Sequence, residues 1–187
     1  MQSRLHPPTL DIRRHFAVNL QKINALTESE FTAILGPIFE HSPWIAERAW
    51  ASRPFDSASA LLARLYAVVE EAGDDLQLAL LQAHPDLVGR LARAGALTSE
   101  STNEQTSAGL LALDDASMSR FESLNAAYRA RFGFPFIICA RLNSTDTILT
   151  AFEARLPNSP EKERTTAWQE VKKIASLRLD DILGTKS

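Results

Sequence analysis

At 187 residues, 45% of them hydrophobic and 23% charged, the chain has ordinary globular composition and enough material for one sizeable core. A net charge of −3 speaks against nucleic acid, whose phosphates reward concentrated lysine and arginine. No stretch reaches the roughly 18 consecutive apolar residues that a membrane span requires, so no membrane partner is expected.

The first 15 residues, with Pro7 and Pro8, are expected to be loosely held, and residues 16–187 to form a single domain. Thr27-Glu28-Ser29-Glu30 reads as a capping box, and Phe31, Ile34, Leu35, Ile38 and Phe39 follow on one helical face. Pro37 interrupts that face, which predicts a short or kinked helix. "HSPWIAERAWASRPF" sets two proline breaks around a short helix that carries Trp44 and Trp50. Leu61, Leu65, Val68 and Val69 repeat at helical spacing until Gly73, after which Asp74 or Asp75 caps a helix running to about Ala83. Phe121, Leu124 and Tyr128 mark a helix stopped by Gly133, and Ile148, Leu149 and Phe152 mark another behind Ser144 and Thr145. Ser159-Pro160-Glu161 opens the last helix with an N-cap, a first-turn proline and an acid. No long alternating segment reads as a strand, and "FPFIICA" is the only apolar run that could form one. The expected fold is all-α, a single-domain bundle of about eight helices.

Metal and nucleotide chemistry are poorly served. The four histidines are scattered, and "HExxH", "CxxC" and a glycine-rich phosphate loop are all missing from the sequence. The single cysteine, Cys139, cannot close an internal disulfide and reads as a small buried hydrophobe, which suits a reducing cytoplasm. The start has no apolar signal segment and the end, "GTKS", is not the peroxisomal "SKL", so a cytoplasmic location is expected.

In "LLQAHPDLVGRL", Pro85 disfavours helical backbone at the residue before it, so the helix must end at or near His84. A C-terminal helix dipole stabilises a protonated imidazole, either as a bland dipole partner or as a proton donor. "STNEQ", Ser101 to Gln105, reads locally as a second capping box, with Glu104 folding back on Ser101; alternatively Glu104 and Gln105 point into a pocket. Arg178 falls between Val171 and Ile174 on the apolar stripe of the last helix, so it snorkels, pairs with an internal acid, or awaits an anion. In "RFGFPFIICAR" the proline disturbs regular structure, which leaves nearby main-chain groups available to a ligand.

Together these segments resemble the 2-oxo-4-hydroxy-4-carboxy-5-ureidoimidazoline (OHCU) decarboxylase family, which completes urate breakdown to (S)-allantoin. The likeness runs from about Ile23 through "FEHSPWIAERAW", "LLQAHPDLVGRL", "LTSESTNEQTSAGL", "LNAAYRARFGFPFIICAR" and "EVKKIASLRLDDIL". The resemblance implies an all-α homodimer, no cofactor, and OHCU as the small-molecule substrate. It implies His84 and Glu104 as catalytic residues, with His84 the proton donor. It further implies a substrate site lined by Pro85, Ser101, Thr102, Asn103, Glu104, Gln105, Phe136, Ile137, Ile138, Cys139, Ala140 and Arg178. In that site Glu104 is expected to orient the imidazole or the substrate hydroxyl, and to raise the His84 pKa if close. Gln105 and the main chain of 136–140 are expected to hold the ring and ureido group, and Arg178 to grip an anionic or carbonyl oxygen. Two other readings stand beside this one: a cofactor-free acid–base lyase or hydrolase for another ureido or imidazolone compound, and a non-catalytic helical binding module. The second predicts loss of His84, Glu104 or Arg178, and all three are present.

Overall fold

The computed structural model describes residues 19–87, 98–107, 110 and 113–185, so the expectation for residues 1–15 lies outside the described residues. Nine α-helices occur among them. They are α1 (Leu20–Ala25), α2 (Glu28–Leu35), α3 (Trp44–Trp50), α4 (Ala58–Glu71), α5 (Asp74–Gln82), α6 (Ser99–Ser107), α7 (Asp115–Phe132), α8 (Thr145–Arg155) and α9 (Pro160–Leu183). The all-α expectation holds, with one helix more than the expected eight.

Helix ends follow local chemistry. The Thr27 capping box forms in full, because its side chain and that of Glu30 satisfy each other's backbone donors. Pro37 ends α2 by imposing a 3-10 turn, Gly36–Ile38, so the helix is short rather than kinked. Ser57, Ser144 and Ser159 cap α4, α8 and α9. Gly73 sits at φ 82, open only to a residue without Cβ at low cost, and it takes the N-cap place of α5. Asp74 and Asp75 therefore fall in the first turn and stabilise the helix through its dipole, not as caps.

Helix α9, 24 residues and about 36 Å long, is the spine. Its buried stripe runs Glu163, Ala167, Glu170, Val171, Ile174, Ala175, Arg178, Leu179 at three- and four-residue spacing, so three charged side chains face inward at different depths. The helix packs on α4, α7 and the 36–38 turn. "FPFIICA" makes no strand; among the described residues there is none. It runs extended between α7 and a 3-10 turn at Ala140–Leu142, its rings locked in the core. Phe136 stacks on Phe152 at 3.8 Å between centroids and meets the edge of Tyr128 at 5.2 Å. Its backbone is tied down by side chains in place of a ladder: Arg155 donates to the Ile137 carbonyl (2.8 Å) and Glu170 accepts from the Cys139 amide (2.8 Å).

Candidate active site

Four segments and the C-terminal half of α9 meet around one pocket. Its wall is formed by Glu40, His84, Pro85, Leu87, Ser101, Glu104, Gln105, Phe136, Ile137, Ile138, Ala140, Ile174 and Arg178, and it holds about 380 Å³ of empty space, its open mouth included.

His84 follows the last turn of α5, where Pro85 prevents the helix from continuing. The segment is clamped from α7: Asn125 donates to the Leu87 carbonyl (2.7 Å) and Arg129 to the Asp86 carboxylate (2.7 Å). His84 is only 7% exposed. Its Nδ1 lies 2.9 Å from the Leu80 carbonyl, which can only accept, so Nδ1 carries the hydrogen and Nε2 is the nitrogen left for proton exchange. Burial pulls the imidazole pKa down from 6.5 to about 4, against the opposing pull of the Glu40 carboxylate and the Leu80 bond; Arg178 and His41 depress it further. The helix dipole, which favours a protonated imidazole, is thus not the dominant influence in the free protein. Desolvation outweighs the half-charge of a helix end, and the ring is neutral near pH 7.

Arg178 is 5% exposed. Its Nε and Nη2 donate to the two oxygens of Glu104, each at 2.8 Å, a bidentate pair. Nη2 also reaches Glu40 at 2.8 Å, and Nη1 reaches the carbonyls of Pro37 (3.2 Å) and Ile38 (3.3 Å). All five guanidinium hydrogens are therefore used by the protein. Burial alone would lower the Arg178 pKa, but Glu104 and then Glu40 more than reverse it and hold the cation.

The wall also holds three residues not expected from the sequence, the apolar Leu87 and Ile174 and the charged Glu40. Glu40 follows the 36–38 turn, and the chain then swings through His41 at φ 46, leaving Glu40 at 2% exposure and His41 on the surface. Glu40 accepts from Arg178, from the Ser101 hydroxyl and, at 3.3 Å, from Thr98. Burial pushes its pKa up, yet the Arg178 charge and the hydrogen bonds of Ser101 and Arg178 outweigh that and hold it below the ordinary carboxylate value. The only sequence signal was indirect, since a buried Arg178 demands an acid, and "FEHSPW" places one amid apolar residues.

The family model for OHCU decarboxylase matches residues 24–180. The 2-oxo-4-hydroxy-4-carboxy-5-ureidoimidazoline decarboxylase of Amia calva is 42% identical over 89% of this chain and 95% of its own length. The mouse protein of the same name is also 42% identical, over 91% of this chain and 96% of its own. The chain belongs to the OHCU decarboxylase family. A solved (S)-allantoin synthase shares the fold at a TM-score of 0.71 and 34% identity, over 89% of this chain; the chain spans about half (54%) of that longer protein.

Within this OHCU decarboxylase fold, His84, Pro85, Ser101, Glu104, Gln105, Phe136, Ile137, Ile138, Ala140 and Arg178 converge on the pocket as expected. Thr102, Asn103 and Cys139 do not. Thr102 bonds back to the Thr98 carbonyl along its own helix, Asn103 faces solvent, and the Cys139 side chain is buried behind the wall. The capping-box reading of Ser101 and Glu104 also fails. Thr98 accepts from the Ser101 amide (3.2 Å), so α6 begins at Ser99, and Ser101 and Glu104 are released to face Glu40 and Arg178. Nor are all main-chain groups of 136–140 available. The Ile137 carbonyl and Cys139 amide have protein partners, whereas among the described residues the main chain of Ile138, on the pocket wall, makes no hydrogen bond.

Proposed function

We propose that this chain catalyses the cofactor-independent decarboxylation of OHCU to (S)-allantoin and CO2, with His84 delivering the proton. The single observation that carries the reading is the convergence of His84, Glu104 and Arg178, three residues far apart in sequence, on one pocket.

The chemistry fits those groups. Cleaving the C–C bond to the carboxylate leaves its electron pair on the ring carbon, where the adjacent C=N and ring system delocalise it. The protein then has to place the carboxylate, stabilise the developing charge, and supply one proton to one face. Once Nε2 of His84 has taken up a proton from solvent with the substrate bound, it passes that proton to the ring carbon, the new C–H bond forms, and the imidazole returns to its neutral state. Glu104 presents a carboxylate held at fixed angle by Arg178, suited to accept from the substrate hydroxyl or ureido N–H. Because the Arg178 hydrogens are all in use, it fixes Glu104 and Glu40 beside the substrate. Gln105 and the Ile138 main chain supply further polar contacts for the ring and ureido group.

A homodimer in the cytoplasm goes with this reading. The buried thiol of Cys139 is at home in a reducing compartment; no described helix is long and apolar enough to cross a membrane. Sedimentation at micromolar concentration checks the dimer.

The activity is tested with OHCU generated from urate by uricase and hydroxyisourate hydrolase. Adding this protein should accelerate allantoin formation and give circular dichroism of one enantiomer. A racemate formed at the spontaneous rate would contradict the proposal.

A further inference from the structure

The pocket carries a charge imbalance that the reaction has to resolve. Two carboxylates, the buried Glu40 and the part-buried Glu104, share one guanidinium, Arg178, and the neighbouring imidazole of His84 is neutral in the free protein. The fixed charge is thus −1 before an anionic substrate arrives. A second negative charge in a partly desolvated site is costly unless a cation accompanies it. Arg178 has no hydrogen left to offer. The group on the wall able to become that cation is His84, whose Nδ1 is occupied by Leu80 and whose Nε2 is not.

We propose that Glu40 is a positioning residue of the decarboxylation: its buried carboxylate is the fixed charge that, with the entering substrate carboxylate, draws a proton from solvent onto Nε2 of His84. This rests on the OHCU reading. Each turnover then balances: one proton is taken up as the carboxylate binds, the C–C bond breaks, the pair left on carbon takes that proton, CO2 leaves, and His84 is neutral again. The same arrangement keeps the proton off His84 until substrate is present, since Glu40 alone does not overcome burial of the ring. The charged and titratable groups acting on the imidazole are Glu40 and His41 from the loop after α2 and Arg178 from α9, and Glu104 of α6 lines the same pocket. Glu40 has in addition the Ser101 and Thr98 hydroxyls, which keep it ionised.

The test is the pH dependence of kcat, which reports groups in the substrate complex. The wild type should lose kcat as pH rises through the pKa of the substrate-bound imidazole. Glu40→Gln removes one negative neighbour, so that alkaline limb should move down by about one pH unit or more, while KM for the anionic substrate falls or holds. Glu40→Asp keeps the charge, and its limb should stay near that of the wild type even if kcat drops. A purely structural Glu40 would leave the limb of the Gln variant in place; that result overturns the proposal. Should Glu40→Gln fail to fold, isothermal titration of the wild type with an unreactive carboxylate analogue of the substrate, in buffers of different ionisation enthalpy, decides the matter. Uptake of about one proton supports the proposal, and no uptake overturns it. Racemic product from the wild type would instead strike at the OHCU reading itself.

Discussion

Among the described residues, two largely enclosed arginine clusters stand one at each end of α9, and they differ in what surrounds them. At the N-terminal end Arg155 pairs with Glu163, which is fully buried and also accepts from Tyr128 and from Asn158 (2.6 Å). Arg155 lies over the Phe136 ring at 4.3 Å and holds the Ile137 carbonyl. One cation meets one anion, the hydroxyl of Tyr128 is kept neutral by burial and by its bond to Glu163, and core closes around them. At the C-terminal end Arg178 meets two carboxylates, and the cluster opens on a pocket that also holds a neutral histidine. A buried guanidinium is therefore not by itself a mark of function. The distinguishing features are the unmatched charge and the adjacent space.

That contrast is exposed by mutating one member of each cluster. Arg178→Met leaves Glu40 and Glu104 facing each other, and kcat/KM should fall by at least about 10²-fold, with urea unfolding showing a loss of about 3–5 kcal/mol. Glu163→Gln should cost a similar ~3–5 kcal/mol by uncovering Arg155, yet leave kcat within about threefold for the folded fraction, because neither Glu163 nor Arg155 itself lines the pocket. A large kcat loss in Glu163→Gln would erase the distinction.

Acid titration of stability gives a smaller effect. The His84 pKa is lower in the folded state than the ordinary 6.5, at about 4, so folding disfavours its protonation. Its contribution is complete above pH 6.5 and is lost as pH falls from there towards about 4. At 1.36 kcal/mol per unit, that window should cost about 3 kcal/mol of unfolding free energy. In His84→Gln, whose amide can still reach Leu80, the drop should be largely gone, and an unchanged profile would show that His84 is not neutral in the free protein. The mildest change is Cys139→Ala. Burial first, then Glu104 and Glu170, push the thiol up to about 11, so it should resist thiol reagents at pH 8 in the native state, and the variant should keep kcat within about twofold. A tenfold loss would return Cys139 to the substrate site.

Much of this was legible in the sequence because it is local. Helix caps, the stop imposed by Pro85, and the place of Arg178 on an apolar stripe follow from spacing and backbone rules. What escaped was non-local. Glu40 meets Arg178 across 138 residues, from a loop with no periodicity to flag it. Ser101 and Glu104 fit a capping box by pattern, but Thr98, three residues earlier, took the cap and freed both for the pocket. The charge state of His84 was open at the level of sequence, because a helix dipole is visible there and desolvation is not.

The central claim is that His84 supplies the proton to one face of the substrate carbon. The most direct measurement is the optical purity of allantoin formed from freshly generated OHCU by folded His84→Ala protein beside the wild type. A single enantiomer from the wild type and near-racemic product at close to the spontaneous rate from the variant is the predicted result. A variant that still yields one enantiomer at wild-type speed would contradict the account.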